Sequence, residues 1–99
     1  MSDGVGRVEQ KTLSLQLPAG GWRLESGDVF TRIDVAYEEC GAPFLGDNAV
    51  FICHALTGDA HVAGMRPGET VPSGWWDGMV GPGRAIDTNK WHVVCANVL

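Results

Sequence analysis

The sequence is short of basic residues, paired cysteines and long apolar runs, and each shortage removes a class of function. Seven Lys and Arg stand against twelve Asp and Glu, a formal net charge of −5. A surface that grips nucleic-acid phosphates needs a basic stripe, so this balance argues against nucleic acid as a partner. No apolar stretch approaches the ~20 residues of a membrane span, so no membrane partner is expected. Met1-Ser2-Asp3-Gly4 lacks the basic-then-apolar order of a secretory signal, which leaves the cytoplasm as the expected compartment. The three cysteines are odd in number, widely spaced and without a CxxC pair. Cys53 and Cys95 fall inside apolar strand patterns, where a thiol acts as a small core hydrophobe, while Cys40 sits beside a turn and is expected to be partly exposed. Internal repeats and low-complexity tracts are also missing.

What is present fits one small globular domain: 99 residues, 44% of them hydrophobic, with fourteen glycines that point to several tight turns. Residues 1–10 are polar and aperiodic and are expected to form a flexible tail. Lys11 to Leu17 alternates, with Leu13, Leu15 and Leu17 on one face, as a half-buried strand does. Trp22 and Leu24 extend a short strand between the turns at Pro18-Ala19-Gly20-Gly21 and Ser26-Gly27-Asp28. Phe30 to Glu38 alternates again, and strands so close in sequence pair most naturally as an antiparallel ribbon.

Two later runs differ in kind. Ala49 to Cys53 and His92 to Val98 are continuous rather than alternating, the pattern of a parallel pair covered on both faces. The segment from His54 to Trp91 is long enough for a right-handed crossover between them. Within it Trp75, Trp76, Met79 and Val80 have helical spacing, ended by Gly81-Pro82-Gly83, and Met65 to Ser73 is expected to be an exposed excursion. Ligands of open α/β sheets sit outside the carboxyl ends of the strands. The loop leaving the first buried run, through Leu56, Thr57 and Gly58, therefore holds the expected site. Two parallel strands and a ribbon leave a sheet edge and an apolar face unfilled, so the chain reads as the front portion of a larger domain.

The segments His54-Ala55-Leu56-Thr57-Gly58-Asp59-Ala60-His61, Gly74-Trp75-Trp76-Asp77-Gly78-Met79-Val80-Gly81-Pro82-Gly83 and Cys95-Ala96-Asn97-Val98-Leu99 closely resemble the homoserine O-acyltransferases, typically homoserine O-acetyltransferase. Leu24-Glu25-Ser26-Gly27 and Val35-Ala36-Tyr37-Glu38 resemble the same family's opening strands, so the likeness runs over about residues 12–99. It implies the N-terminal part of an α/β-hydrolase fold with an incomplete sheet, residues 11–99 being that portion of the domain. It also implies acyl transfer from acetyl-CoA to the hydroxyl of L-homoserine through an acyl-serine, in methionine biosynthesis. Acetyl-CoA is then an acyl-donor substrate and not a bound cofactor, and a homodimer is common among full-length members. The resemblance places one oxyanion-hole donor at the Leu56 backbone N–H, with Thr57 and Gly58 beside the substrate.

The likeness leaves gaps. The fold's triad runs Ser, Asp or Glu, then His, with the serine on a GxSxG-like elbow. Ser2, Ser14, Ser26 and Ser73 lack that frame; Val71-Pro72-Ser73-Gly74 lacks the first glycine. Nucleophile, acid and base are expected to be missing, and the segment to be inactive alone. The alternatives are another acyltransferase or an esterase of the same fold, such as a homoserine O-succinyltransferase or a serine acyltransferase, or a non-enzymatic half-fold that binds a partner through its open edge.

Several residues invite sharper roles. His54 precedes any nucleophile and fits a neutral ring orienting the loop better than a general base. His54, Asp59 and His61 match no standard metal frame. Trp75 and Trp76 read as core before they read as an adenine platform, and Asp77 as a helix-end charge before an acceptor contact. Gly81-Pro82-Gly83 matches no phosphate-binding pattern and reads as a turn.

Overall fold

The computed structural model describes residues 4–98, and its regular structure is entirely β. In chain order the strands are β1 (Lys11–Gln16), β2 (Trp22–Arg23), β3 (Val29–Phe30), β4 (Arg32–Gly41), β5 (Ala49–Ile52), β6 (Val80–Gly81), β7 (Ile86–Asp87) and β8 (His92–Ala96). Four of them form one sheet in the order β1-β4-β8-β5, with β2-β3 and β6-β7 as separate pairs. The opening ribbon is antiparallel as expected, with Leu13 opposite Val35 and Leu15 opposite Ile33. The two continuous apolar runs pair in parallel, Val50 with Val93 and Ile52 with Cys95. β8 lies between β5 and β4, so the crossover joins adjacent strands, and β8 also pairs antiparallel with β4, Glu38 opposite Cys95.

Because successive side chains leave opposite faces of a sheet, this register sorts them into a covered and an uncovered set. Ile52, Val93 and Cys95 point to one side, where Val62, Ala63 and Val80 of the crossover cover them and Val50, Cys40 and Ile86 complete the core. The other face is open. Leu13, Leu15, Val35, Phe51, Val94 and Ala96 line a shallow groove of about 480 Å³ there, and Phe51 is 64% exposed. The expectation that Ala49–Cys53 is covered on both faces is thus corrected, as is the half-buried reading of β1, whose six residues are all exposed. The crossover covers one side of the sheet, and nothing among the described residues packs on the other. Cys53, expected in the core, is exposed for the same reason, while Cys95 is buried and Cys40 half-buried. Burial, with Glu38 beside it, pushes the Cys40 thiol up to about 11, which leaves it unreactive at neutral pH.

The expected helix at Trp75–Val80 is absent. Asp77 N bonds to Gly74 O, and Met79 N and Val80 N both bond to Trp76 O, which amounts to a single helical turn. A first turn fixes several residues for one hydrogen bond, and Gly81-Pro82-Gly83 allows no second turn to repay it. Gly74 is set by close approach: a Cβ there would lie 2.3 Å from Ala63 Cα. Within the tail expected over residues 1–10, Gly6 and Val8 make contacts with the crossover. Val8 is buried, Val8 N donates to Met65 O, and Met65 N donates to Gly6 O; residues 1–3 lie outside the described residues. The excursion from Met65 to Ser73 is largely exposed, as expected. The Cα radius of gyration is 15.7 Å, against about 13 Å for a compact domain of this length, in keeping with a sheet covered on one side.

Candidate active-site loop at the strand ends

The parallel pair sets where the loop begins. At the carboxyl ends of β5 and β8 a cleft of about 220 Å³ is lined by Ile52, Cys53, His54, Ala96, Asn97 and Val98, with Phe51 at its edge. Directly after His54 the chain makes a tight turn closed by Gly58 N donating to Ala55 O at 2.8 Å. Leu56 and Thr57 are the two central residues of that turn. The Leu56 side chain is 92% exposed, and its amide donates to no protein acceptor among the described residues. Gly58 packs tightly, since a Cβ there would lie 3.2 Å from His54 Cβ and 3.3 Å from Ala55 O. His54 is half-buried, its Nδ1 is 2.7 Å from Ala55 O, and its Nε2 is buried with no partner among the described residues.

The far side of the loop is fastened by side chains rather than by secondary structure. Ala60 N donates to Asn97 Oδ1 at 2.6 Å, which ties the loop to the end of β8. Asp59 Oδ1 accepts from His61 N at 2.9 Å, its Oδ2 pairs with Arg66 at 3.0 Å, and its carbonyl accepts from Trp75 Nε1 at 2.8 Å. Asp77 Oδ1 accepts from Gly64 N at 2.8 Å and Oδ2 pairs with Arg84 at 3.1 Å, while Arg84 also donates to the Asp77 carbonyl. Asp77 therefore braces the crossover and caps no helix. Trp75 and Trp76 stack on each other with centroids 5.6 Å apart and rings 15° from parallel. They are 42% and 38% exposed, which corrects the reading of the pair as core. Gly81-Pro82-Gly83 is a turn, held by Gly83 N on Asp87 Oδ1 at 2.9 Å. Hydrogen bonds from the Gly83 and Asn89 amides hold the Asp87 carboxyl below its ordinary range.

One constellation escaped the sequence. His61 is buried, its Nδ1 donating to the equally buried Glu38 Oε1 at 2.7 Å, and its Nε2 lies 2.9 Å from Ser73 Oγ. Ser73 Oγ in turn donates to Glu69 Oε1 at 2.7 Å, and this bond leads the causes that hold the Glu69 carboxyl low. Serine, histidine and carboxylate in line have the composition of an acyl-transfer triad, but an oxyanion needs donors as well. The amides of Ser73 and Gly74 both donate to Gly64 O, at 3.1 and 3.2 Å. The array is a strap that binds the crossover to β4. The three residues are distant in sequence and share no motif, and Glu38 does not stand out in a strand that also carries Arg32, Asp34 and Glu39. His54, Asp59 and His61 do not converge, since His61 turns to Glu38 and His54 to Ala55. No group of three or more His, Cys, Asp or Glu suited to a metal occurs among the described residues.

No family model matches the chain. Curated relatives do match. A homoserine O-acetyltransferase of Carboxydothermus hydrogenoformans is 50% identical over 100 residues, covering all of this chain and 25% of the relative. That of Methanocorpusculum labreanum is 46% identical, covering all of this chain and 19% of the relative. A homoserine O-succinyltransferase of a Nocardioides species is 44% identical, with all of this chain and 27% of the relative covered. Among solved structures, the homoserine O-acetyltransferase of Bacillus anthracis superposes with a TM-score of 0.73 at 33% identity, over 91% of this chain and 23% of that one. Esterase E22 superposes with a TM-score of 0.72 at 29% identity, over 93% of this chain and 24% of that one. The chain thus spans about a quarter or less of the length of most of these relatives. Its mixed sheet is an incomplete α/β-hydrolase sheet, and along its whole length the chain is similar to homoserine O-acyltransferases.

Proposed function

We propose that residues 11–99 are the N-terminal portion of the α/β-hydrolase domain of a cytoplasmic homoserine O-acetyltransferase. Within that enzyme they supply the Leu56 amide to an oxyanion hole. The observation that carries this reading is the Leu56 N–H, unpartnered among the described residues, in an exposed turn that follows a parallel strand, in a chain 50% identical over its whole length to a homoserine O-acetyltransferase. Acyl transfer places negative charge on the carbonyl oxygen of the acyl group as a nucleophile adds to it. A backbone donor held at a strand end meets that charge without having to reorganise. Thr57 and Gly58, at the same turn, border the substrate. The acyl donor is acetyl-CoA, consumed as a substrate, and the acceptor is the L-homoserine hydroxyl. The attacking serine lies outside residues 1–99: Ser2, Ser14, Ser26 and Ser73 all lack a GxSxG-like elbow, and the amides of Ser73 and Gly74 are both taken by Gly64 O. The segment alone is accordingly inactive, and the complete enzyme is a homodimer.

A hybrid tests the assignment: residues 1–99 replace the matching quarter of the Carboxydothermus hydrogenoformans enzyme. The expected result is homoserine-dependent release of free CoA from acetyl-CoA, with none from the 99-residue chain by itself. The likeness to esterase E22 favours a second reading, ester hydrolysis on the same loop. A folded hybrid that hydrolyses esters without regard to homoserine would support that reading and overturn the first. Preference for succinyl-CoA would keep the acceptor and change the donor.

A further inference from the structure

The peptide bond between Ala55 and Leu56 joins two facts that sit on opposite sides of it. Its carbonyl accepts from Gly58 N at 2.8 Å and faces His54 Nδ1 at 2.7 Å. Its N–H is the unpartnered amide of Leu56. A trans peptide unit is planar, with its C=O and N–H pointing in opposite directions, and no cis peptide occurs among the described residues. Whatever fixes the carbonyl therefore fixes the direction of the amide. A carbonyl has two lone pairs, and here both are used. A carbonyl cannot donate, so the hydrogen in the contact belongs to Nδ1, and a neutral His54 carries its free lone pair on the buried Nε2.

We propose that His54 is a positioning residue for the oxyanion donor: by gripping the Ala55 carbonyl through Nδ1–H, it aims the Leu56 N–H away from the turn and toward the reacting oxygen. The inference rests on the reading of Leu56 given above. Gly58 alone would leave the peptide plane free to tilt about a single hydrogen bond at the tip of a two-residue turn. With His54 as a second anchor from the strand side, the plane is held at two points. The ring itself stays clear of the chemistry and exchanges no proton with substrate.

The position of the donor atom separates this role from simple packing. An asparagine amide nitrogen stands where Nδ1 stands, a glutamine amide reaches only as far as Nε2, and phenylalanine fills the ring volume with no donor. In the active hybrid, H54Q and H54F lower kcat about fivefold to tenfold with KM for homoserine little changed, the loss expected for one hydrogen bond. H54N restores most of that loss. Nitrogen-15 NMR of the hybrid gives a readout independent of activity. The His54 ring shows the Nδ1–H tautomer, and the Leu56 and Gly58 amide resonances move in H54Q and H54F but stay near their places in H54N. Equal activity in H54N, H54Q and H54F, or an Nε2–H tautomer, overturns the positioning role. A wild-type hybrid that folds but transfers no acetyl group overturns the assignment of function instead, so the two failures are distinguishable.

Discussion

In the hybrid enzyme, replacing Leu56 by proline lowers kcat about 10²–10³-fold and leaves the fold intact. The magnitude is that of removing one oxyanion donor from an acyl-transfer site. Proline deletes the amide hydrogen and little else here, because position 56 is the second residue of the Ala55–Gly58 turn, where the fixed φ of proline is well accommodated. The chemical step is the one that suffers: the oxyanion exists in the transition state and hardly in the bound substrate, so KM stays near its original value. L56A keeps the N–H and removes a side chain that is 92% exposed, and it costs no more than about threefold. Single-turnover measurements on the three proteins check the order. Equal rates for L56P and the parent would remove Leu56 from the mechanism.

The largest stability effect is expected at Glu38. Glu38 and His61 are 3% and 2% exposed and 2.7 Å apart, so each satisfies the other where water cannot. Deleting one partner of such a pair leaves a buried polar group uncompensated, at a cost of about 3–5 kcal/mol. A domain of this size has roughly 5–15 kcal/mol in all. E38A should then lower Tm by more than about 12 °C, taking about 4 °C per kcal/mol for a domain of this length. S73A, at the exposed outer end of the same array, should cost under about 1 kcal/mol, because water replaces the lost contact. Thermal melts followed by circular dichroism separate the two. An unchanged Tm in E38A would mean that the strap from β4 to the crossover contributes nothing to stability.

The contrast between these residues shows what the sequence made legible. The parallel pairing of Ala49–Ile52 with His92–Ala96 could be read because continuous apolar runs have few other uses. The antiparallel ribbon followed from alternation at Leu13, Leu15, Ile33 and Val35. The turn at Ala55–Gly58 was legible through its position after a strand and through its glycine. Burial was read less well. An apolar run signals that a strand can be covered on both faces, but covering also needs a second layer. Phe51 and Leu13 face a side that no described residue packs against. Helical spacing at Trp75–Val80 misled because period alone ignores the cost of the first turn and the glycines that follow. The His61–Glu38–Ser73 array was invisible because its members are brought together only when the crossover folds back on β4. A hydrogen bond from His54 to its own loop was expected from the sequence, while the particular partner, the carbonyl on the reverse side of the Leu56 amide, needed coordinates.

The central claim is geometric, and a crystal structure of the hybrid tests it most directly when its nucleophilic serine carries a phosphonate that mimics the tetrahedral intermediate. The account predicts the Leu56 nitrogen about 2.7–3.1 Å from the phosphonyl oxygen, with the Ala55 carbonyl on the far side of the same peptide plane and still bonded to Gly58 and His54. A phosphonyl oxygen held wholly by other donors, with the Leu56 N–H turned toward solvent or a protein carbonyl, would contradict it.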